Sequence, residues 1–268
     1  MMLKDITLGQ YFPGTTSIHR MDPRMKLILT TAYIVVLFVA KGILSYMLLL
    51  AWLLTTVRLS RIKISVIFRG VRPLLFIISL TALLNMLYTP GRPALEFWIL
   101  TITYEGIFVA IKMVSRIIML ITGTLLLTYT TSPIVLTDGL EQLLNPLKKL
   151  RVPVHELAMM MSIALRFIPT LIEEADKIIN AQKARGADFE TGSIFKRAKA
   201  LIPLLVPLFI SAFRRADELA IAMECRCYRG GEGRTSLRQL KYSSIDLKAM
   251  LFSVIVFTAV IVLRVLGI

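Results

Sequence analysis

"KLILTTAYIVVLFVAKGILSYMLLLAWLLTTV", residues 26–57, is two apolar runs, 26–40 and 43–57, joined by a short turn at Lys41 and Gly42. Such runs decide the fold class, because a helix crossing a hydrocarbon core about 30 Å thick needs roughly 17 to 25 mostly apolar residues. Three further stretches approach or meet that requirement: 73–88, a segment within 106–131, and 244–268. Of the 268 residues, 56% are hydrophobic and 18% charged, with a mean hydropathy of +0.72. That is too apolar for a soluble globular domain. The expected fold is an all-α membrane protein with about five transmembrane helices and long cytoplasmic amphipathic helices.

The net charge of +15 would point to nucleic acid if the basic residues lay on a polar domain with interleaved aromatics. They lie between apolar runs instead, so the expected partner is the lipid bilayer and not nucleic acid. The stretch 58–72, read as a loop, carries Arg58, Arg61, Lys63, Arg69 and Arg72 without an acid and belongs on the cytoplasmic side. The loop 89–105 sets Arg92 against Glu96 and Glu105, and the 41–42 turn has only Lys41, so both belong outside. A multi-pass protein of the cell membrane follows, with its amino terminus cytoplasmic and its carboxyl terminus outside. The stretch from Met1 to Lys26 holds Lys4, Asp5, Arg20, Asp22 and Arg24 without an apolar core, so the first span is expected to target the chain. Lys112 and Arg116, on one face of the fourth span, are expected to snorkel to the headgroups.

Three regions result: 1–131 with four spans, 132–243 as a cytoplasmic helical region, and 244–268 as the last span. The middle region holds 17 basic and 12 acidic residues, so it is not simply more membrane. From Val154 to Arg185 apolar residues recur at helical spacing, with Pro153 at the start, Pro169 in the middle and Gly186 where a left-handed cap would stand. A second helix is expected from about Ile210 to Tyr228, ending at Gly230 and Gly231. Between them "LIPLLVPLFISAF", 201–213, carries Pro203 and Pro207 and reads as a broken, buried or interfacial segment. Met159, Met160 and Met161 supply flexible, polarizable side chains that repack against differing partners.

Both helices close on an arginine between small residues, first in "NAQKARGADF" (180–189) and again in "AMECRCYRGGEGRT" (222–235). A cation at one helix C-terminus is favoured locally by about 0.3–1 kcal/mol and means little alone; two in matched contexts mean more. Catalytic signatures fail in turn. "HELAM", 155–159, has Met159 where a zinc protease needs its second histidine. "RGGEGRT", 229–235, lacks the lysine and the leading glycine of a phosphate loop. Cys225 and Cys227 fall two apart in one expected helix, cannot easily bridge, and are expected to serve as small buried thiols. The chain is not expected to be an enzyme or to hold a metal.

"SIHRMDPRMKL" (17–27), "ALRFIPTLIEEADKIINAQKARG" (164–186) and "RRADELAIAMECRCYRGGEGRT" (214–235) resemble the transmembrane EcfT subunits of energy-coupling factor (ECF) transporters, the CbiQ/EcfT family. The resemblance covers essentially the whole chain. It implies a non-catalytic subunit of an ABC-type importer, partnered by two ABC-type ATPase subunits and by a small membrane protein that binds a vitamin or other micronutrient. It implies that ATP and Mg are bound by the partner ATPases and that this chain carries no cofactor. The helices of 132–243 become coupling helices whose tips dock the ATPases. Carried over, the first tip is Ala184, Arg185 and Gly186. The second is Cys225, Arg226 and Cys227, which keeps the arginine and replaces both small neighbours. Met159, Met160 and Met161 are the expected contacts to the substrate-binding subunit. The competing class, a stand-alone secondary transporter, predicts inverted repeats and polar groups converging at the midplane, and neither is visible.

Overall fold

The computed structural model describes residues 11–97, 100–187, 193–230 and 239–267. It is an all-α fold apart from one hairpin: α1 (Ser17–Arg20), α2 (Pro23–Val39), α3 (Ile43–Ser60), α4 (Ile64–Val71), α5 (Leu75–Tyr88), β1 (Pro93–Phe97), β2 (Leu100–Thr103), α6 (Tyr104–Thr130), α7 (Pro133–Leu144), α8 (Val154–Ala184), α9 (Ile194–Cys225) and α10 (Ser244–Val265). Among the described residues five helical stretches are long and apolar enough to cross a bilayer: Ile43–Ser60, Ile64–Tyr88, Tyr104–Thr130, Val154–Ala184 and Ser244–Val265. Helix α2, with 17 residues, sits at the lower limit of a span. Residues 9–139 pack with 240–268 as one compact unit, and 140–239 belong to a second.

In the first unit α2, α3, α6 and α10 enclose an aromatic core. Tyr33 stacks on Trp52 at 4.8 Å and 21°, and Phe257 approaches Trp52 at 5.4 Å. Each polar edge has a partner, as an apolar solvent demands: Trp52 Nε1 donates to Ser253 Oγ at 3.1 Å and Tyr33 Oη to the Met119 carbonyl at 3.3 Å. Gly123 makes this stack possible, since a Cβ there would lie 2.7 Å from the Tyr33 ring. The opposite helix faces present Val35, Phe38, Met47 and Leu54, all more than half exposed, which in water would be a liability and in lipid is a matched surface.

At one end of this unit, polar groups bring together segments distant in the chain. Asp22 caps α2, where Pro23 holds the first helical position. Its carboxylate takes a two-pronged bond from Arg24, at 3.1 Å from Nε and 2.9 Å from Nη2. Its backbone N–H donates to Asp246 at 2.8 Å; Asp246 also completes the capping box of α10 with Ser243. Arg24 reaches the Leu240 carbonyl at 3.1 Å and lies 4.1 Å from the Tyr242 ring. Lys26, buried, donates to the Thr130 carbonyl at 2.9 Å and to Thr131 Oγ1 at 3.0 Å. Residues 22–26 thus bind both the place where the chain leaves α6 and the place where it returns to α10.

Several expectations are corrected. The stretch 58–72 is not a loop: only Arg61–Lys63 separate α3 from α4, and the helical path from Ile64 reaches Tyr88 through a 3-10 turn at Arg72–Leu74, where Pro73 supplies no N–H. Ile67 and Val71, four apart, are the buried stripe that the surrounding basic residues disguised. The 89–105 loop contains the antiparallel hairpin, in which Leu95 pairs with Ile102 and Phe97 with Leu100. Lys112 and Arg116, expected to snorkel, also find partners within the chain. Lys112 donates to the Lys41 carbonyl at 3.2 Å, while Arg116 donates to Tyr46 Oη at 2.8 Å and to the Ala40 carbonyl at 3.3 Å, so both cations cap the carbonyl end of α2.

Because Gly123 is needed for close approach of Tyr33, Gly123→Ala is expected to destabilise the membrane unit by about 1–3 kcal/mol through overpacking. A lower midpoint of thermal unfolding in detergent checks this, with Thr128→Ala, exposed on the same helix, staying within about 0.5 kcal/mol of the parent.

Candidate functional site

The second unit is built on α8 and α9. Helix α8 starts at Val154 behind Pro153, and His155 Nδ1 pairs with Glu141 Oε1 at 2.7 Å, so the histidine of "HELAM" ties α8 to the end of α7. Helix α9 departs from expectation by running unbroken from Ile194 to Cys225 with Pro203 and Pro207 inside it. Each proline removes one donor from the ladder, and packing against α8 outweighs that loss. The stretch 201–213 is therefore part of a continuous helix, with Ile202, Val206, Phe209 and Phe213 exposed along one face of it and Phe209 stacked on Phe213 at 6.3 Å. Between the helices, Glu174 of α8 accepts hydrogen bonds from Ser211 and, at 3.0 Å, from Arg215 of α9.

The two helix ends have one geometry. At the end of α8 the N–H of Gly186 donates to Lys183 O at 3.0 Å and that of Ala187 to Gln182 O at 2.9 Å, with Gly186 at φ +86°. At the end of α9 the N–H of Cys227 donates to Glu224 O at 2.8 Å and that of Tyr228 to Met223 O at 3.0 Å, with Cys227 at φ +56°. Both are Schellman closures, in which a left-handed residue turns the chain so that its last carbonyls are satisfied. Arg185 and Arg226 hold the cap position in each, and both are exposed. Cys227 stands where the first end has glycine. The second helix thus ends at Cys225 rather than Tyr228, and the two cysteines do not share a helix. Both are exposed, not buried as expected. Gly230, at φ +92°, turns the chain after the helix, and residues 231–235 of "RGGEGRT" lie outside the described residues.

Met160 and Met161 are about half exposed and Met159 is partly covered, all three near the start of α8 and far along the chain from Ala184, Arg185 and Gly186. The arrangement therefore offers two cationic tips, each on a satisfied helix end, and separately an apolar face on α8 and α9. That face of α9 was hidden in the sequence by its prolines. A period of three to four over Ile202, Val206, Phe209 and Phe213 was the available signal.

A family described as cobalt transport protein, CbiQ, matches residues 14–237. A protein of Thermosediminibacter oceani is 56% identical over 249 residues, which is 93% of this chain and 94% of that one. One of Acidaminococcus fermentans is 51% identical over 263 residues, 98% of each chain, and one of Bacillus subtilis is 49% identical over 261 residues, 97% of this chain and 98% of that one. All three are named energy-coupling factor transporter transmembrane protein EcfT. The chain belongs to the EcfT family. It is a multi-pass membrane component of ECF transport, and the EcfT resemblance read from residues 17–27, 164–186 and 214–235 holds over nearly the whole chain.

A left-handed residue other than glycine costs about 1 kcal/mol. Cys227→Gly is expected to stabilise the end of α9 by about that amount, and Gly186→Ala to destabilise the end of α8 similarly, since nothing surrounds Gly186 within 4 Å to change the sign. Amide hydrogen exchange at Tyr228 and Ala187 reads the two effects separately.

Proposed function

We propose that this EcfT-family chain is the coupling subunit of an ECF-type ABC importer, and that Arg185 and Arg226 each dock one of two ABC-type ATPase subunits. The observation that carries the reading is the repeated helix end: an exposed arginine at the cap of a Schellman closure, presented once after α8 and again after α9. A guanidinium offers several directed donors to carboxylates and backbone carbonyls, and a cap position at the end of a long helix places it on a rigid support. Ala184 and Gly186 flank the first arginine as small neighbours that let a groove close over it; at the second, Cys225 and Cys227 replace them and the arginine keeps the charge role.

In this reading residues 1–131 form a membrane region, 132–243 the cytoplasmic coupling region and 244–268 the last span, with the amino terminus cytoplasmic and the carboxyl terminus outside. Met159, Met160 and Met161, with the apolar face of α9, meet a small membrane subunit that binds a vitamin or other micronutrient. ATP and Mg belong to the ATPases; this chain is non-catalytic and carries no cofactor. Closure of the ATPase pair on ATP would displace the two tips, and α8 and α9 would carry the displacement to the substrate-binding subunit.

Removing one member of a buried, hydrogen-bonded charge pair costs about 2–5 kcal/mol at an interface. Affinity purification of the tagged chain from its native membranes in mild detergent is therefore expected to recover two ABC-type ATPases with a small hydrophobic protein. Reversing both charges, Arg185→Glu with Arg226→Glu, is expected to lose the ATPases while the chain stays inserted. Retention of both ATPases by that double variant would contradict the assignment.

A further inference from the structure

The match between the two tips extends beyond the arginines. Laying Arg226 over Arg185 without gaps also lays Ala216 over Ala175, Asp217 over Asp176 and Ala222 over Ala181, and the capping hydrogen bonds correspond donor for donor. The residue pair that joins α8 to α9 falls into the same alignment. Glu174 and Arg215 are counterparts, and they touch each other at 3.0 Å. The chain from Glu174 to Arg185 is as long as that from Arg215 to Arg226, about three helical turns and about 16 Å. Both arginines therefore leave the contact at the same distance and in the same rotational phase.

We infer that Glu174 and Arg215 are positioning residues: their ion pair fixes α8 against α9 at one point and so sets the separation of the two arginine tips. This rests on the docking reading above and adds to it what sets the spacing of the tips. An acid facing a base attracts across the contact, whereas like charges there would repel. Ser211, donating to the Glu174 carboxylate, holds it in place for Arg215.

The test uses the complete transporter in nanodiscs, with Glu174→Arg, Arg215→Glu and the reversed pair carrying both. Genetically encoded spin labels at Ala187 and Tyr228, counterparts just beyond the tips, report the distance between the arms without touching the native cysteines. Each single variant is expected to broaden that distance distribution and to lower substrate taken up per ATP hydrolysed by about three- to tenfold, with both ATPases still bound. The reversed pair is expected to restore both readouts to within about twofold, since it re-forms the ion pair with the charges exchanged. Single variants that keep the parent distance distribution and coupling ratio would overturn the inference, as would a folded reversed pair that restores neither. Failure of ATPases to accompany the unaltered chain would count against the docking reading instead, and the distance measurement, which needs no partner, would still decide the ion pair.

Discussion

The hydrogen bond from the Asp22 backbone to Asp246, 2.8 Å long and joining positions 224 apart in the chain, is the constraint on which the architecture of the membrane unit depends. Close beside it the chain also supplies Arg24 to the Leu240 carbonyl and Lys26 to Thr130 and Thr131. Asp22, Lys26 and Asp246 are buried, where an ammonium or carboxylate without partners costs several kcal/mol. Each of these groups is therefore hard to remove singly. The result is that the chain between α6 and α10 departs and returns at one polar cluster.

The second constraint is the way α8 and α9 end. A helix must dispose of its last carbonyls, and both helices do so with a left-handed residue after an exposed arginine. That the second uses Cys227, despite the steric cost at φ +56°, indicates how strongly the closure is held. The same solution at both ends turns a local capping rule into a pair of matched presentations.

Much of this was legible in the sequence. Length and apolarity located α3, α6 and α10, the residues around Gly186 announced the end of α8, and the recurrence of Arg185 at Arg226 was visible before any coordinates. The misreadings share a cause: local signals were overridden by tertiary packing. Prolines at 203 and 207 argued for a break that contacts with α8 suppress, and five basic residues between 58 and 72 masked a helix whose buried stripe is only Ile67 and Val71. The intrachain acceptors of Lys112 and Arg116, the carbonyls ending α2, were not legible because they belong to a distant part of the chain. The ion pair of Glu174 with Arg215 was equally hidden, since each residue alone is one charge among many on an amphipathic helix.

The most direct test of the central claim is site-specific photo-cross-linking in native membranes, with a photoreactive residue at Lys183 and, separately, at its counterpart Glu224, each a turn or less from its arginine. The account predicts that each position captures an ABC-type ATPase subunit. Capture of lipid alone at both positions, in cells where the transporter is active, would contradict it.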